Sequence, residues 1–316
     1  MSLKGKVCVV TGASRGIGKG IALQLGKAGA IVYITGRTLT SSGDVTGSLT
    51  DTAREVEERG GRCIPVQCDH SNDDDIVELF DTIKKQQNGQ LDLLVNNAYA
   101  AVKMISENKG KSFWEQPMSM WDTVNIVGLR NHYMCAIHAA RLMVPRRSGL
   151  IVNVSSGGGL KYLFNIPYGV GKEACDRMAA DCAVELRRHN VAFVSLWPGA
   201  VRTEFTNQLS QSADSAKTKK SGINFAEGET TEYAGKAVVN LLSDKNLMSK
   251  KSGKIHLTSD LAYEYGFTDI DGRQPPSIRQ LSFLLGQNPK TAWIAKWTPG
   301  FLYIPRWLLA QAGNKF

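Results

Sequence analysis

A strand, a glycine-rich loop and a helix open the chain, and no other stretch narrows its fold as much. Val7-Cys8-Val9-Val10 is a short apolar run of the kind that fills a buried parallel strand. Thr11-Gly12-Ala13-Ser14-Arg15-Gly16-Ile17-Gly18 follows, and then a helical pattern carried by Ile21, Leu23 and Leu25 as far as Gly29. Glycines allow a tight turn and a close approach of backbone to a pyrophosphate, which the helix N-terminus then holds. Gly12, Ser14, Arg15, Gly16, Ile17 and Gly18 are therefore candidate dinucleotide-binding residues. A plain glycine turn is the bland alternative, and the matching flanks weigh against it.

The second strand, Ile31-Val32-Tyr33-Ile34-Thr35, ends in Gly36-Arg37. An NAD-binding chain often places an acidic residue here for the ribose 2′-hydroxyl. This chain places Arg37, with Arg15 inside the glycine loop, and two guanidiniums suit a 2′-phosphate. The expected cofactor is NADP(H) in preference to NAD(H). Asp69, just after a third strand at 63–67, is placed to accept from the adenine amine.

Strands and helices keep alternating. A fourth strand at 91–95 ends in Asn96-Asn97-Ala98, at a strand end where parallel sheets form their ligand crevice, so Asn96 joins the candidates. Residues 99–117 make a long loop that is either a substrate wall or a surface flap. A helix at 118–144 carries Asn125 and Gly128, both unfavourable in a helix interior, which points to a kink or to a functional demand. A fifth strand at 150–154 runs into Ser155-Ser156-Gly157-Gly158-Gly159. A sixth at 191–196 runs into the loop that holds Pro198, Gly199, Val201 and Thr203, four more cofactor candidates. Residues 38–48 read as a flexible loop and 204–228 as a polar lid. A helix at 231–242 and a strand at 253–257 complete one doubly wound parallel α/β sheet.

Between the fifth and sixth strands lies Tyr168-Gly169-Val170-Gly171-Lys172. A Tyr and a Lys four apart share one helix face. An ammonium about 4 Å from the phenol, at an effective dielectric of about 20, favours phenolate by roughly 4 kcal/mol, or about three pKa units. That shift would bring Tyr168 towards the working range of a general acid or base. Alone, the spacing is a weak signal, because most such pairs are surface neighbours.

The motifs gain force together. TGASRGIG at 11–18, NNA at 96–98, Asn125, VSS at 154–156, YGVGK at 168–172 and PG at 198–199 stand in one order across residues 5–260. In this the chain resembles the short-chain dehydrogenase/reductase family, whose members have a Rossmann fold. The resemblance implies a catalytic set of Asn125, Ser156, Tyr168 and Lys172, with Tyr168 and Lys172 also touching the cofactor. It implies that Tyr168 protonates a carbonyl oxygen that Ser156 hydrogen-bonds, that Lys172 tunes Tyr168 and binds the nicotinamide ribose, and that Asn125 supports Lys172 through a water. Ser155 is the fallback for Ser156: the family's usual offset to the Tyr favours Ser155, and the Ser-to-Gly159 spacing favours Ser156. Strand alternation sends the two side chains different ways, so only one can serve. The implied function is NADPH-dependent reduction of a hydrophobic ketone or aldehyde, steroid- or xenobiotic-like. A non-catalytic nucleotide-binding scaffold or sensor is the alternative. An enoyl reductase is disfavoured by the short Tyr–Lys spacing.

Domain 1–260 accounts for that fold and leaves an extension at 261–316. From 283 onward the extension has no acidic residue and interleaves Lys290, Lys296, Arg306 and Lys315 with Trp293, Trp297, Phe301, Tyr303 and Trp307. Short basic–aromatic segments suit a membrane interface, and packing over the site or onto a second subunit is the rival use. The net charge of +9 is spread along the chain without a nucleic-acid module, so the expected partners are a small carbonyl, a membrane surface and a second copy of the chain, with no nucleic acid and no metal. Six scattered cysteines, no secretory signal pattern and no membrane-length apolar run point to the cytoplasm or the cytoplasmic face of the endoplasmic reticulum.

Overall fold

The computed structural model describes residues 1–41, 47–204, 206, 225, 228–286 and 290–313. Seven parallel strands form the central sheet: β1 (Val7–Val10), β2 (Ile31–Gly36), β3 (Arg62–Gln67), β4 (Leu93–Asn96), β5 (Gly149–Val154), β6 (Val191–Trp197) and β9 (Ile255–Leu257). Their order is β3-β2-β1-β4-β5-β6-β9, so the chain reverses direction of growth between β1 and β4. Crevices for ligands open at such a switch point, outside the carboxyl ends of the strands. A separate two-stranded ladder joins β7 (Val201–Arg202) to β8 (Glu229–Thr230).

Side-chain alternation along the strands divides the core in two. Cys8, Val10, Val32 and Ile34 face one cluster, which is covered by α1 (Gly16–Lys27), α2 (Leu49–Glu58), α8 (Thr231–Leu242) and α9 (Thr258–Tyr265). Val7, Val9 and Tyr33 face the other, under α3 (Asp73–Gln86), α6 (Asn131–Arg146) and α7 (Ile166–Leu186). Both sheet faces are therefore dry, which is why the strands read as unbroken apolar runs rather than as alternating ones. All six cysteines are free.

The helix expected at 118–144 is broken where Asn125 and Gly128 point to a kink. α5 (Ser119–Asn125) ends in a wide turn at Ile126–Arg130, and α6 starts at Asn131. Within the break Val127 leaves helical angles and Gly128 takes φ 153°. A Cβ on Gly128 would lie 2.6 Å from the Tyr99 ring, so only glycine fits. The long loop at 99–117 contains a short helix, α4 (Val102–Glu107), and a turn at Phe113–Glu115 closed by a Ser112/Glu115 capping box. Of the expected loop at 38–48, positions 42–46 lie outside the described residues. So does most of the expected lid at 204–228.

α9 belongs to the core, with Leu261 and Ala262 fully buried. Beyond it the extension folds back on itself. Gln280 and Tyr303 form an antiparallel bridge, with α10 (Leu281–Gly286) and α11 (Ala292–Ala295) between them and α12 (Arg306–Gly313) after. Its anchor is the buried carboxylate of Asp260, which accepts from Ser277 Oγ at 2.9 Å and Arg279 Nη1 at 2.5 Å, with Arg306 Nη2 at 3.6 Å. Away from that anchor Trp293, Trp297, Phe301 and Trp307 stand exposed.

Candidate active site

The glycine loop sits at the switch point. Gly12 and Gly16 take left-handed φ of 66° and 59°. A Cβ on Gly12 would meet Ala98 Cα at 2.7 Å, and one on Gly18 would meet the Gly12 carbonyl oxygen at 2.4 Å. Asn97 braces this turn, its Nδ2 donating to Thr11 O at 2.8 Å and Gly12 O at 3.0 Å. Thr11 Oγ1 in turn accepts from the backbone of Asn97 and Ala98 at 2.9 and 3.0 Å. Sequence reasoning missed Asn97, whose signal was its place beside Asn96. Asn96 itself is fully buried, its Nδ2 committed to His132 O and Asn153 Oδ1. It ties strands β4 and β5 to α6 rather than facing the crevice.

At the head of α1 the Gly16 N–H donates to Glu204 Oε2 at 3.0 Å. A carboxylate thus stands where a phosphate oxygen would accept, and the cradle fits an anion at this helix N-terminus. Ser14 is buried beside it, Arg15 is exposed, and Ile17 packs into the core. Thr203 packs near Gly16, and Val201 is buried in the β7–β8 ladder, so the 198–203 loop closes against the glycine loop. Arg37 is exposed at the end of β2, its carbonyl accepting from Gln67 Nε2. Asp69, at the end of β3, accepts from Ser71 N and Oγ at 2.9 and 2.7 Å. Burial works upward on that carboxyl, but the Ser71 bonds and the Arg37 charge outweigh it and hold it below its ordinary range.

Farther along the crevice, Asn165 caps α7 by accepting from the Tyr168 N–H, and the helix presents Tyr168 and Lys172 on one side. Ser156 stands close enough to Tyr168 to favour its phenolate, and its Oγ accepts from Gly158 N at 3.0 Å. Ser155 turns inward, donating to Lys172 O at 3.0 Å. The structure therefore brings Ser156, not Ser155, to the phenol. Lys172 is buried with its Nζ donating to Val154 O at 3.0 Å. Asn125 closes the group from α5. Its Nδ2 donates to Trp121 O, and its buried Oδ1 has no partner among the described residues. Gly171 lets Asn125 this close, since a Cβ there would sit 2.7 Å from Oδ1.

The downward shift expected for Tyr168 is reversed here. Burial, the largest influence, pushes the phenol above its ordinary value, and the nearby Ser156 only partly offsets it. Lys172 Nζ lies 5.9 Å from the Tyr168 ring centroid, and its ammonium donates to Val154 O rather than to the phenol. Burial also pushes Lys172 below its usual value, while Cys175 and Asp176 hold it up.

Tyr99 is a further residue the motifs did not mark. Its ring lies 5.0 Å from Lys172 Nζ and edge-on to Tyr168 at 6.1 Å, and its buried hydroxyl has no partner among the described residues. Phe164 meets Tyr168 edge-on from the other side at 5.0 Å. Asp176, one turn after Lys172, accepts from Trp197 Nε1 at 2.9 Å and from Ser195 Oγ, and so pins α7 to β6. No metal-binding group of side chains exists among the described residues.

This geometry has known counterparts. A family model described as short chain dehydrogenase matches residues 6–214. The chain is a short-chain dehydrogenase/reductase. Two similar proteins are named dehydrogenase/reductase SDR family member 1. The one from Mus musculus is 51% identical over 317 residues, with 99% of each chain covered. The one from Homo sapiens is 50% identical over the same length and coverage. Among solved structures, a putative short-chain alcohol dehydrogenase from Sinorhizobium meliloti 1021 superposes with a TM-score of 0.69 at 27% identity, covering 84% of this chain and 98% of its own. As a short-chain dehydrogenase/reductase the chain is an oxidoreductase with a site for a nicotinamide dinucleotide. No helix among the described residues is long and apolar enough to cross a membrane.

Proposed function

We propose that this short-chain dehydrogenase/reductase is an NADPH-dependent carbonyl reductase acting on hydrophobic ketones or aldehydes of steroid or xenobiotic type. The observation that carries the reading is the gathering of Ser156, Tyr168 and buried Lys172, one helical turn from Tyr168, at the carboxyl end of the sheet. When bound, the nicotinamide supplies the hydride. Tyr168 gives the proton to the carbonyl oxygen, and Ser156 hydrogen-bonds that oxygen as its charge develops. Lys172 holds the nicotinamide ribose and stabilises the phenolate left behind. Asn125, through its Oδ1, supports Lys172 by way of a water. Tyr99 and Phe164 flank the phenol with rings, which favours an apolar substrate over a sugar or a charged acid. The preference for NADPH rests on Arg37 and Arg15 at the ribose end.

A panel of aromatic, steroid and short polar carbonyls, read by oxidation of NADPH and of NADH, tests this. Turnover of the apolar ketones with NADPH, at least ten times that of polar carbonyls, is the expected result. Reduction confined to polar carbonyls would overturn the substrate class, and equal use of NADH would overturn the cofactor.

The exposed rings of the extension, together with Lys290, Lys296 and Arg306, support peripheral binding to an anionic membrane surface such as the cytoplasmic face of the endoplasmic reticulum. The full-length chain with Trp293, Trp297, Phe301 and Trp307 all changed to serine is expected to float with anionic vesicles several-fold less than the parent. Equal flotation of the two proteins removes the membrane reading.

A further inference from the structure

One buried acid at the cofactor end of the fold has no part in the chemistry above. Glu229 opens β8, which pairs with β7 in the register Val201↔Glu229. Its N–H donates to Ala200 O at 2.8 Å, so its backbone is hydrogen-bonded to the 198–203 loop. Its side chain then reaches the same loop. Glu229 Oε2 accepts from Thr258 Oγ1 at 2.7 Å. A Cβ on Gly199 would approach that oxygen to 3.1 Å. Glu229 Oε1 is buried with no partner among the described residues. The residue is 2% exposed.

A buried carboxylate with one oxygen unmet by any donor among the described residues is costly, whereas a neutral carboxyl is tolerated there. The neighbours do not change that balance. Asp269, held by Thr230 N at 2.7 Å, and Tyr233 from α8 face Glu229, while the nearby guanidiniums, Arg202 on β7 and Arg273 at Gly228 O, are paired with Asp271.

We propose that Glu229 is a positioning residue for the dinucleotide: its buried carboxyl, packed against Gly199 and tied to Thr258, holds the loop of Pro198, Gly199, Val201 and Thr203 against the glycine loop. The inference rests on the dinucleotide site of the proposed reading and not on its carbonyl substrate.

Burial pushes the Glu229 carboxyl up to about 8, the Thr258 bond and the nearby Gly199 backbone only partly offsetting it. The folded value lies above the unfolded one, so the stability that the neutral form contributes is complete below about 4.5 and is lost as pH rises towards about 8. Above that point the loop must open to hydrate the carboxylate. Only the closed fraction binds, so the apparent Kd rises by as much as about tenfold per pH unit.

The test is the Kd of NADPH and of NADH, read by nicotinamide fluorescence from about pH 6 to about pH 9.5, for the full chain and for Glu229→Gln and Glu229→Leu. Ionisations of the cofactor and of Lys172 are common to all three proteins, so the ratio to the parent is the quantity compared. The parent is expected to weaken relative to Glu229→Gln above about pH 8, reaching about tenfold near pH 9. Glu229→Leu, which lacks the polar group that packs on Gly199 and accepts from Thr258, is expected to bind about tenfold more weakly than Glu229→Gln at every pH. A pH-independent ratio overturns the proposal. So does a Glu229→Leu protein that melts earlier but binds both dinucleotides as the parent does, which would leave Glu229 a purely structural residue. If no carbonyl on any panel is reduced, the substrate reading fails while these binding curves still decide the role of Glu229.

Discussion

Tyr168→Phe is expected to abolish carbonyl turnover and leave the dinucleotide in place. The substitution removes one oxygen from a side chain whose ring is held on two sides, by Tyr99 at 6.1 Å and Phe164 at 5.0 Å. Neither contact uses the hydroxyl, so the phenylalanine ring keeps its position and α7 keeps its cap at Asn165. What is lost is the hydroxyl that serves as proton donor in the proposed reaction. General acid catalysis contributes about 10²- to 10⁴-fold, and the fall in kcat should lie in that range or beyond it. The Kd for NADPH should change by no more than about fivefold, because the loss of one neutral hydrogen bond is worth about 1 kcal/mol or less. Stopped-flow turnover and fluorescence titration on the same protein separate the two effects. Turnover like that of the parent would remove Tyr168 from its role. A collapse in dinucleotide binding would recast it as a binding residue.

The fold was legible because parallel strands buried on both faces leave apolar runs, and helices between them leave a period near 3.6. The site was legible for a related reason. Its residues stand at strand ends or on a single helix face, where sequence spacing converts directly into distance. Ser155 and Ser156 show the limit of that conversion. Counting residues left both open, and only the path of the turn at 157–159 directs Ser156 to the phenol and Ser155 to Lys172 O.

Other features depend on contacts between segments far apart in the chain, and no local pattern carries those. Tyr99 reaches Lys172 across the crevice, and Glu229 reaches Gly199 through a two-residue ladder too short to leave a strand signal. Asn96 misled for the opposite reason. A strand end points at the crevice as a segment, but alternation decides which side chain looks out, and Asn96 looks inward. The lowered pKa expected for Tyr168 from its spacing to Lys172 is overturned by burial. Spacing along a helix gives the distance between Cβ atoms, but not where an ammonium on a flexible stem will find its acceptor, which here is Val154 O.

Arg37→Asp is expected to reverse the cofactor preference. Arg37 follows the last residue of β2 and stands exposed where the strand end meets the adenosine half of the crevice. Its backbone is fixed by Gln67, so a new side chain starts from the same point. A guanidinium on a phosphate makes charge-assisted hydrogen bonds worth about 1.5–3 kcal/mol. Aspartate removes them and sets a carboxylate against the 2′-phosphate, beside the existing negative charge of Asp69. Loss and repulsion together come to about 3–4 kcal/mol, or about 10²- to 10³-fold in kcat/KM for NADPH. NADH gains instead, since aspartate accepts from the free 2′-hydroxyl, and a rise of a few-fold is expected. The ratio of kcat/KM values for the two cofactors, measured with one ketone on parent and variant, is the decisive quantity. An unchanged ratio means that Arg37 does not read the phosphate. A weakening of both cofactors in parallel means that the substitution disturbs the adenosine pocket as a whole.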